Sequence, residues 1–269
     1  MIKYTFIPAS FCLATLAAAE SMTVDDVHAD SILVVGSVEV EVSQGDAFEL
    51  QVRGDRDELQ RTPYYIKGNT LVLGAARRND NYDYGSLQYK VTMPRLEELA
   101  LTGSGDVFIK PMDVDTLELN VSGSGDIKAF SVAADDVELR LDGSGDLKVA
   151  KLDTPTLEVV VAGAGDIAMG EVALDVVQAV ISGSGDIKIK SSNQAASTVD
   201  MNIIGGGTID FSPVDFDWAE INIIGSGDAR LGEVKAMEVN IIGSGDVQYS
   251  GEPEIDSNII GSGDLNRRR

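Results

Sequence analysis

The chain has 269 residues, a formal charge of −23, one cysteine and one histidine. So large an excess of acid argues against binding nucleic acid or anionic membrane surfaces, which carry the same sign. Cys12 alone offers no disulfide, and His28 alone offers neither a His-based triad nor a His-rich zinc site.

Residues 1–19 read as a secretory signal. Lys3 is the basic start, residues 4–16 are apolar, and Ala17, Ala18 and Ala19 are the small residues of a cleavage site. The apolar run is too short for a membrane anchor and contains Pro8. Cleavage would remove Cys12, and no second apolar segment follows, so no transmembrane segment is expected afterwards. Residues 20–29 are expected to be a flexible N-terminus. Across residues 30–95, Val38, Val40 and Val42 alternate with Glu39 and Glu41, turns stand at Gly45-Asp46 and Gly68-Asn69, and a strand ends at Pro94. This segment is expected to form a β-rich cap of irregular first rungs, because an uncapped apolar end would aggregate.

Residues 96–265 are a repeat. Glycine pairs begin at Gly103, Gly123, Gly143, Gly163, Gly183, Gly205, Gly225, Gly243 and Gly261, 18 to 22 residues apart. Seven copies read Gly-Ser-Gly-Asp; the others are Gly163-Ala164-Gly165-Asp166 and Gly205-Gly206-Gly207-Thr208. Between turns, apolar and polar residues alternate, as in Val137, Leu139 and Leu141 against Glu138, Arg140 and Asp142. Such alternation is a strand with one buried face, and a regular period of this length is a stack of coils. The expected fold is all-β: a single-stranded parallel β-helix, right-handed by the usual preference of parallel connections, with about nine Gly-x-Gly-Asp rungs of two or three strands. Leu119 should lie over Leu139, and Leu141 over Val161. The first glycine of each turn is expected to supply a positive φ and the second to relieve crowding. Residues 266–269 read as a basic tail.

Three columns of side chains are candidate sites. The turn aspartates, among them Asp126, Asp146, Asp166 and Asp186, resemble a calcium-binding repeat, but that repeat recurs every nine residues and sets two turns face to face. Here one turn per coil does not supply the six to eight oxygens calcium takes. The favoured reading is structural: each Asp accepts N–H bonds in its own turn. Acids about 5 Å apart repel by only roughly 0.8 kcal/mol in water, and Lys128, Lys148, Lys188 and Arg230, two residues on, partly neutralise them. A second column ends in Asn202, Asn222, Asn240 and Asn258, a candidate amide ladder. The third changes from Thr102, Ser122, Asp142, Ala162 and Ser182 to Ile204, Ile224, Ile242 and Ile260. Either the corner turns these isoleucines into a widened core, or they form an exposed apolar stripe flanked by Asn222 and Asn240 that marks a contact surface. Phe211, Phe216 and Trp218 suggest local packing or a sugar-stacking site.

The order Val38-Glu39-Val40-Glu41-Val42, Gly45-Asp46, Gly68-Asn69, Leu71-Val72-Leu73, Val91-Thr92-Met93-Pro94, Leu96, Leu99 and Gly103-Ser104-Gly105-Asp106 resembles the bacterial "putative auto-transporter adhesin, head GIN domain" family, formerly a domain of unknown function. The resemblance covers about residues 30–265. It implies an exported β-helical protein and, by name, adhesion; it assigns no catalytic residue. No C-terminal translocator barrel is visible, so self-export is not expected.

The reading is therefore an exported, non-enzymatic surface or envelope protein, periplasmic, outer-membrane associated or extracellular, with an adhesin-like binding or scaffold role. No cofactor is expected. Its partner would be a protein or polysaccharide of the envelope, or a second copy of itself. The alternatives are a polysaccharide-active β-helix enzyme and a calcium-dependent binding module. Against the enzyme, the spacing leaves little loop for cleft walls, the acids form a uniform ladder, and aromatics are only 6%.

Overall fold

The computed structural model describes residues 20–25, 27–78 and 82–268; the signal-sequence reading of residues 1–19 lies outside them. The chain is all-β, a parallel β-solenoid of about 8 turns. Each turn lays one strand in each of two sheets. Sheet B stacks Glu98–Gly103, Thr116–Val121, Asp136–Leu141, Thr156–Val161, Val176–Gly183, Ala196–Gly205 and Phe216–Gly225 in parallel register. Sheet A stacks Asp106–Ile109, Asp126–Ala129, Leu147–Asp153, Ile167–Ala173 and Ile187–Ser192. The strand Asp228–Gly243 runs from sheet A into sheet B.

Period-two alternation puts one side of each strand inside. Leu119 pairs with Leu139 and Leu141 with Val161, so like side chains stack rung on rung. Leu99, Leu119, Leu139, Val159 and Ala179 form one such row, wholly buried, and Val107, Ile127, Leu147, Ile167 and Ile187 face it from sheet A. Burying one such side chain contributes about 1.5–3 kcal/mol, but only when rungs above and below complete the enclosure, so stability belongs to the stack.

The N-terminal part caps this stack with antiparallel pairing. Glu49–Gly54 pairs antiparallel with Gln88–Met93, and Tyr64–Lys67 with Thr70–Leu73. The first coil, Ser31–Gly36 and Glu39–Gln44, lies between those strands and the repeats. A single helical turn, Arg56–Leu59, sits in the cap. Two terminal stretches join the sheets as strands. Within 20–29, Glu20–Asp25 is a strand, because its backbone completes the ladder on Glu49–Gly54 and Arg56 pairs with Glu20. At the other end, Leu265–Arg267, which reaches into the basic tail, is a strand on Val247–Ser250, and Arg268 donates to the Leu231 carbonyl.

The turns show why glycine recurs. The Gly123 carbonyl accepts from both Ser144 N–H at 2.9 Å and Gly145 N–H at 3.2 Å. That oxygen occupies the space where a Cβ on Gly143 would stand, and the Gly125 carbonyl blocks Gly145 in the same way. The expected positive φ holds at six first glycines, Gly103, Gly183, Gly205, Gly225, Gly243 and Gly261, with φ from 130 to 154, and not at Gly123, Gly143 and Gly163. Close nesting of rungs is the requirement shared by both glycines of each turn.

Candidate functional site

The aspartate column is an inter-rung staple. Asp126 Oδ1 accepts the Asp146 N–H at 3.0 Å, Asp146 Oδ1 the Asp166 N–H at 3.3 Å, Asp166 Oδ1 the Asp186 N–H at 3.0 Å, and Asp186 Oδ1 the Thr208 N–H at 2.8 Å. The bond expected within each turn runs instead to the next rung, because a parallel stack leaves that N–H facing the carboxylate below. The second oxygen meets a lysine in two cases: Lys148 on Asp146 at 2.7 Å and Lys128 on Asp126 at 3.2 Å. Lys188 pairs with Asp210, not Asp186. Among the described residues no three His, Cys, Asp or Glu side chains are grouped to hold a metal ion. Asp126, Asp146, Asp166 and Asp186 thus have oxygens already engaged by backbone. Asp146→Ala should cost about 1 kcal/mol by leaving the Asp166 N–H without its acceptor, read from urea unfolding; an unchanged midpoint would contradict the staple.

The isoleucine row faces out. Ile204, Ile224, Ile242 and Ile260 are 53%, 51%, 50% and 58% exposed and stand in direct register. The inward alternative fails because Ile203, Ile223 and Ile241 already occupy the core, and alternation sends the next residue outward. The asparagines share that outer face, but the amide ladder is one bond long: Asn240 Nδ2 donates to Asn222 Oδ1 at 3.2 Å. Asn202 donates to Asp200 and Asn222 to Glu220 instead, because an acid two residues earlier is the stronger acceptor. The aromatic trio separates. Phe211 and Phe216 are core, whereas Trp218 is 42% exposed on the outer face of sheet B.

The neighbouring column is acidic, and its signal is a carboxylate recurring at one position of the repeat. Five residues before each turn stand Glu98, Glu118, Glu138, Glu158, Gln178, Asp200, Glu220, Glu238 and Asp256, in register on successive rungs. Only Glu138 has an ion pair among the described residues, with Arg140. Partial burial, then repulsion from Glu118, raises the Glu98 carboxyl above its usual value; burial and Glu220 do the same to Asp200. Asp146 goes the other way: the Lys148 ammonium, helped by the Asp166 N–H, outweighs partial burial and holds its carboxyl low.

These opposite shifts give a signed pH dependence. A carboxyl raised in the folded state binds its proton more tightly there, so acidification from neutral pH adds stability. A depressed carboxyl contributes stability above its unfolded value, near 3.8 for Asp146, and loses it as pH falls through the lower folded value. The melting temperature should rise as pH falls from neutral toward the ordinary glutamate value of 4.5, and fall again once pH drops below the ordinary aspartate value of 3.8. A monotonic fall from pH 7 downward would contradict the repulsive ladder.

The family profile described as "Putative auto-transporter adhesin, head GIN domain" matches residues 29–200 and 151–253. The chain belongs to this family. No curated protein matches it. Among solved structures, a putative lipid binding protein from Parabacteroides distasonis is similar at 29% identity and TM-score 0.66, covering 93% of this chain and 97% of that one. A putative adhesin from the same species is similar at 19% identity and TM-score 0.62, covering 94% and 98%. A putative adhesin from Parabacteroides merdae is similar at 19% identity and TM-score 0.60, covering 93% and 96%. The last two share the fold. In this GIN-domain chain, no helix of the described residues is long and apolar enough to cross a membrane.

Proposed function

We propose that this chain is an exported, non-enzymatic binding rod of the cell envelope, adhesin-like, with its contact face on the outer side of sheet B in the C-terminal half. One observation carries the reading: four isoleucines in register, each about half exposed, make a stripe about 15 Å long at the strand spacing. Water-exposed branched aliphatics stacked at one position of a coil contribute only about 0.2–1 kcal/mol per pair to the fold, and they gain about 1.5–3 kcal/mol each when a partner covers them. Trp218 stands on the same face, two columns beyond the asparagines, and supplies the kind of aromatic anchor that dominates interfaces. The acids and asparagines between them form a polar surround that fixes register and excludes partners of like charge. The partner that fits is a protein with an apolar ridge, a second copy included.

The family name and the fold neighbours named as adhesins support this reading. The rod itself supports it further, since rungs of near-constant length present flat, rigid faces. The experiment incubates purified protein with an envelope fraction and with acidic polysaccharides. Saturable retention by the envelope fraction is expected, with no release of reducing ends from the polysaccharides. Catalytic turnover of any polysaccharide would overturn the proposal.

A further inference from the structure

Sheet A carries a second surface of different chemistry. On its outer side the two columns after the aspartates read Phe108, Lys128, Lys148, Ala168, Lys188 and Lys110, Phe130, Ala150, Gly170, Lys190, with Lys188 held by Asp210. Phe130 is 68% exposed, the most exposed large apolar side chain among the described residues. Beyond it the side chains shrink to Ala150 and then to Gly170, which packs so closely on the Ala150 carbonyl that no Cβ would fit. A large ring beside two nearly bare rungs leaves a groove of about 440 Å³. It runs from Phe108 to Lys190, four rung intervals or about 19 Å at the strand spacing.

Lysines rim an apolar floor here. Lys110, Lys128, Lys148 and Lys190 line the groove, and every other lining residue is apolar. Lys128 lies over the Phe108 ring at 5.5 Å. Three of these ammonium groups already meet acids: Lys110 Glu41, Lys128 Asp126 and Lys148 Asp146. Lys190, at the far end, makes no ion pair among the described residues. In a chain of charge −23, an unpaired cation closing an apolar trough is a specific arrangement.

We propose that this groove binds a long-chain fatty acid as a single molecule, its hydrocarbon laid over Phe130, Ala150 and Gly170 and its carboxylate on Lys190. Charge decides the head: the rim is cationic where the rest of the protein repels anions. The lining decides the body. A sugar chain needs partners for many hydroxyls, and the side chains of this groove offer no amide, hydroxyl or carboxylate, only carbon and ammonium. An acyl chain needs no such partners, and the groove is long enough to carry most of one. This site lies on the sheet opposite the isoleucine stripe and does not depend on it.

The test is calorimetric titration of the full chain with palmitate below its micelle concentration. Saturable one-to-one binding is expected. Phe130→Ser and Lys190→Glu should each weaken it by about tenfold or more, as loss of a central aromatic or charged contact does. Both residues are exposed, so melting temperatures should stay unchanged. Hexadecyltrimethylammonium, with the same chain length and a cationic head, should bind at least about tenfold more weakly. The proposal is overturned by absent or unsaturable binding, equal binding of the cationic amphiphile, or undiminished binding by either variant. It is overturned equally by binding only to phosphatidylglycerol vesicles or by tighter retention of polygalacturonate.

Discussion

Gly145→Val should unfold the rod, at a cost of about 4 kcal/mol or more, whereas Ser144→Ala beside it should change stability by no more than about 0.5 kcal/mol. The difference comes from where each side chain would go. The Ser144 side chain points to water. A Cβ at Gly145 meets the Gly125 carbonyl and its carbon, which are backbone atoms with nowhere to retreat. To admit valine, the rung would have to lift off its neighbour. That would break the two N–H bonds to Gly123 and the Asp146–Asp126 staple, and would open the core at Leu141 and Leu147. Because rungs are held only by their neighbours, a separated pair exposes apolar surface on both sides of the break. Chemical denaturation of the two variants checks this, and comparable losses would show that the turns do not nest as described.

The fold was legible because each rung repeats one set of physical demands. Apolar residues at every second position place Leu119, Leu139 and Val159 in one row, and glycine at a fixed interval sets the corner. What the sequence left hidden depends on neighbours one rung away. The aspartate seemed to bond within its own turn, since local partners are all that a linear reading offers; the Asp166 N–H that Asp146 receives is 20 residues distant. The glycine pair suggested special φ values, which six of the first glycines have, but the obstacle common to both glycines of every turn is the carbonyl of the previous coil. The cap was harder still. Glu20–Asp25 is ordered by an antiparallel partner that lies beyond a turn and a coil, and its own sequence carries little strand signal.

Among the candidate sites, the isoleucine row was legible as a change of residue type at one position, but its direction was not. Alternation pointed outward, while aliphatic character pointed inward. The structure resolves this through Ile203, Ile223 and Ile241, which fill the interior one residue earlier. The groove on sheet A escaped notice for another reason. Lys128 and Lys148 read as partners of the turn acids, which they are. The signal lay in their neighbours, where Phe130, Ala150 and Gly170 step down in size over successive rungs.

The second large effect concerns binding and leaves the fold alone. Ile224 and Ile242 are adjacent rungs at the centre of the stripe, each about half exposed. Replacing both with serine removes apolar surface that a partner would cover, and at about 1.5–3 kcal/mol for each isoleucine the loss is more than about a hundredfold in affinity. The same change should move the melting temperature by no more than about two degrees, since neither side chain packs in the core. The decisive measurement compares Ile224→Ser/Ile242→Ser with the unaltered chain for retention by intact envelope, with solution mass and melting temperature followed on the same samples. The account predicts lost retention, or loss of a self-associated species, from a folded rod of unchanged melting temperature. Full retention by the double variant, or a variant that unfolds, would contradict it.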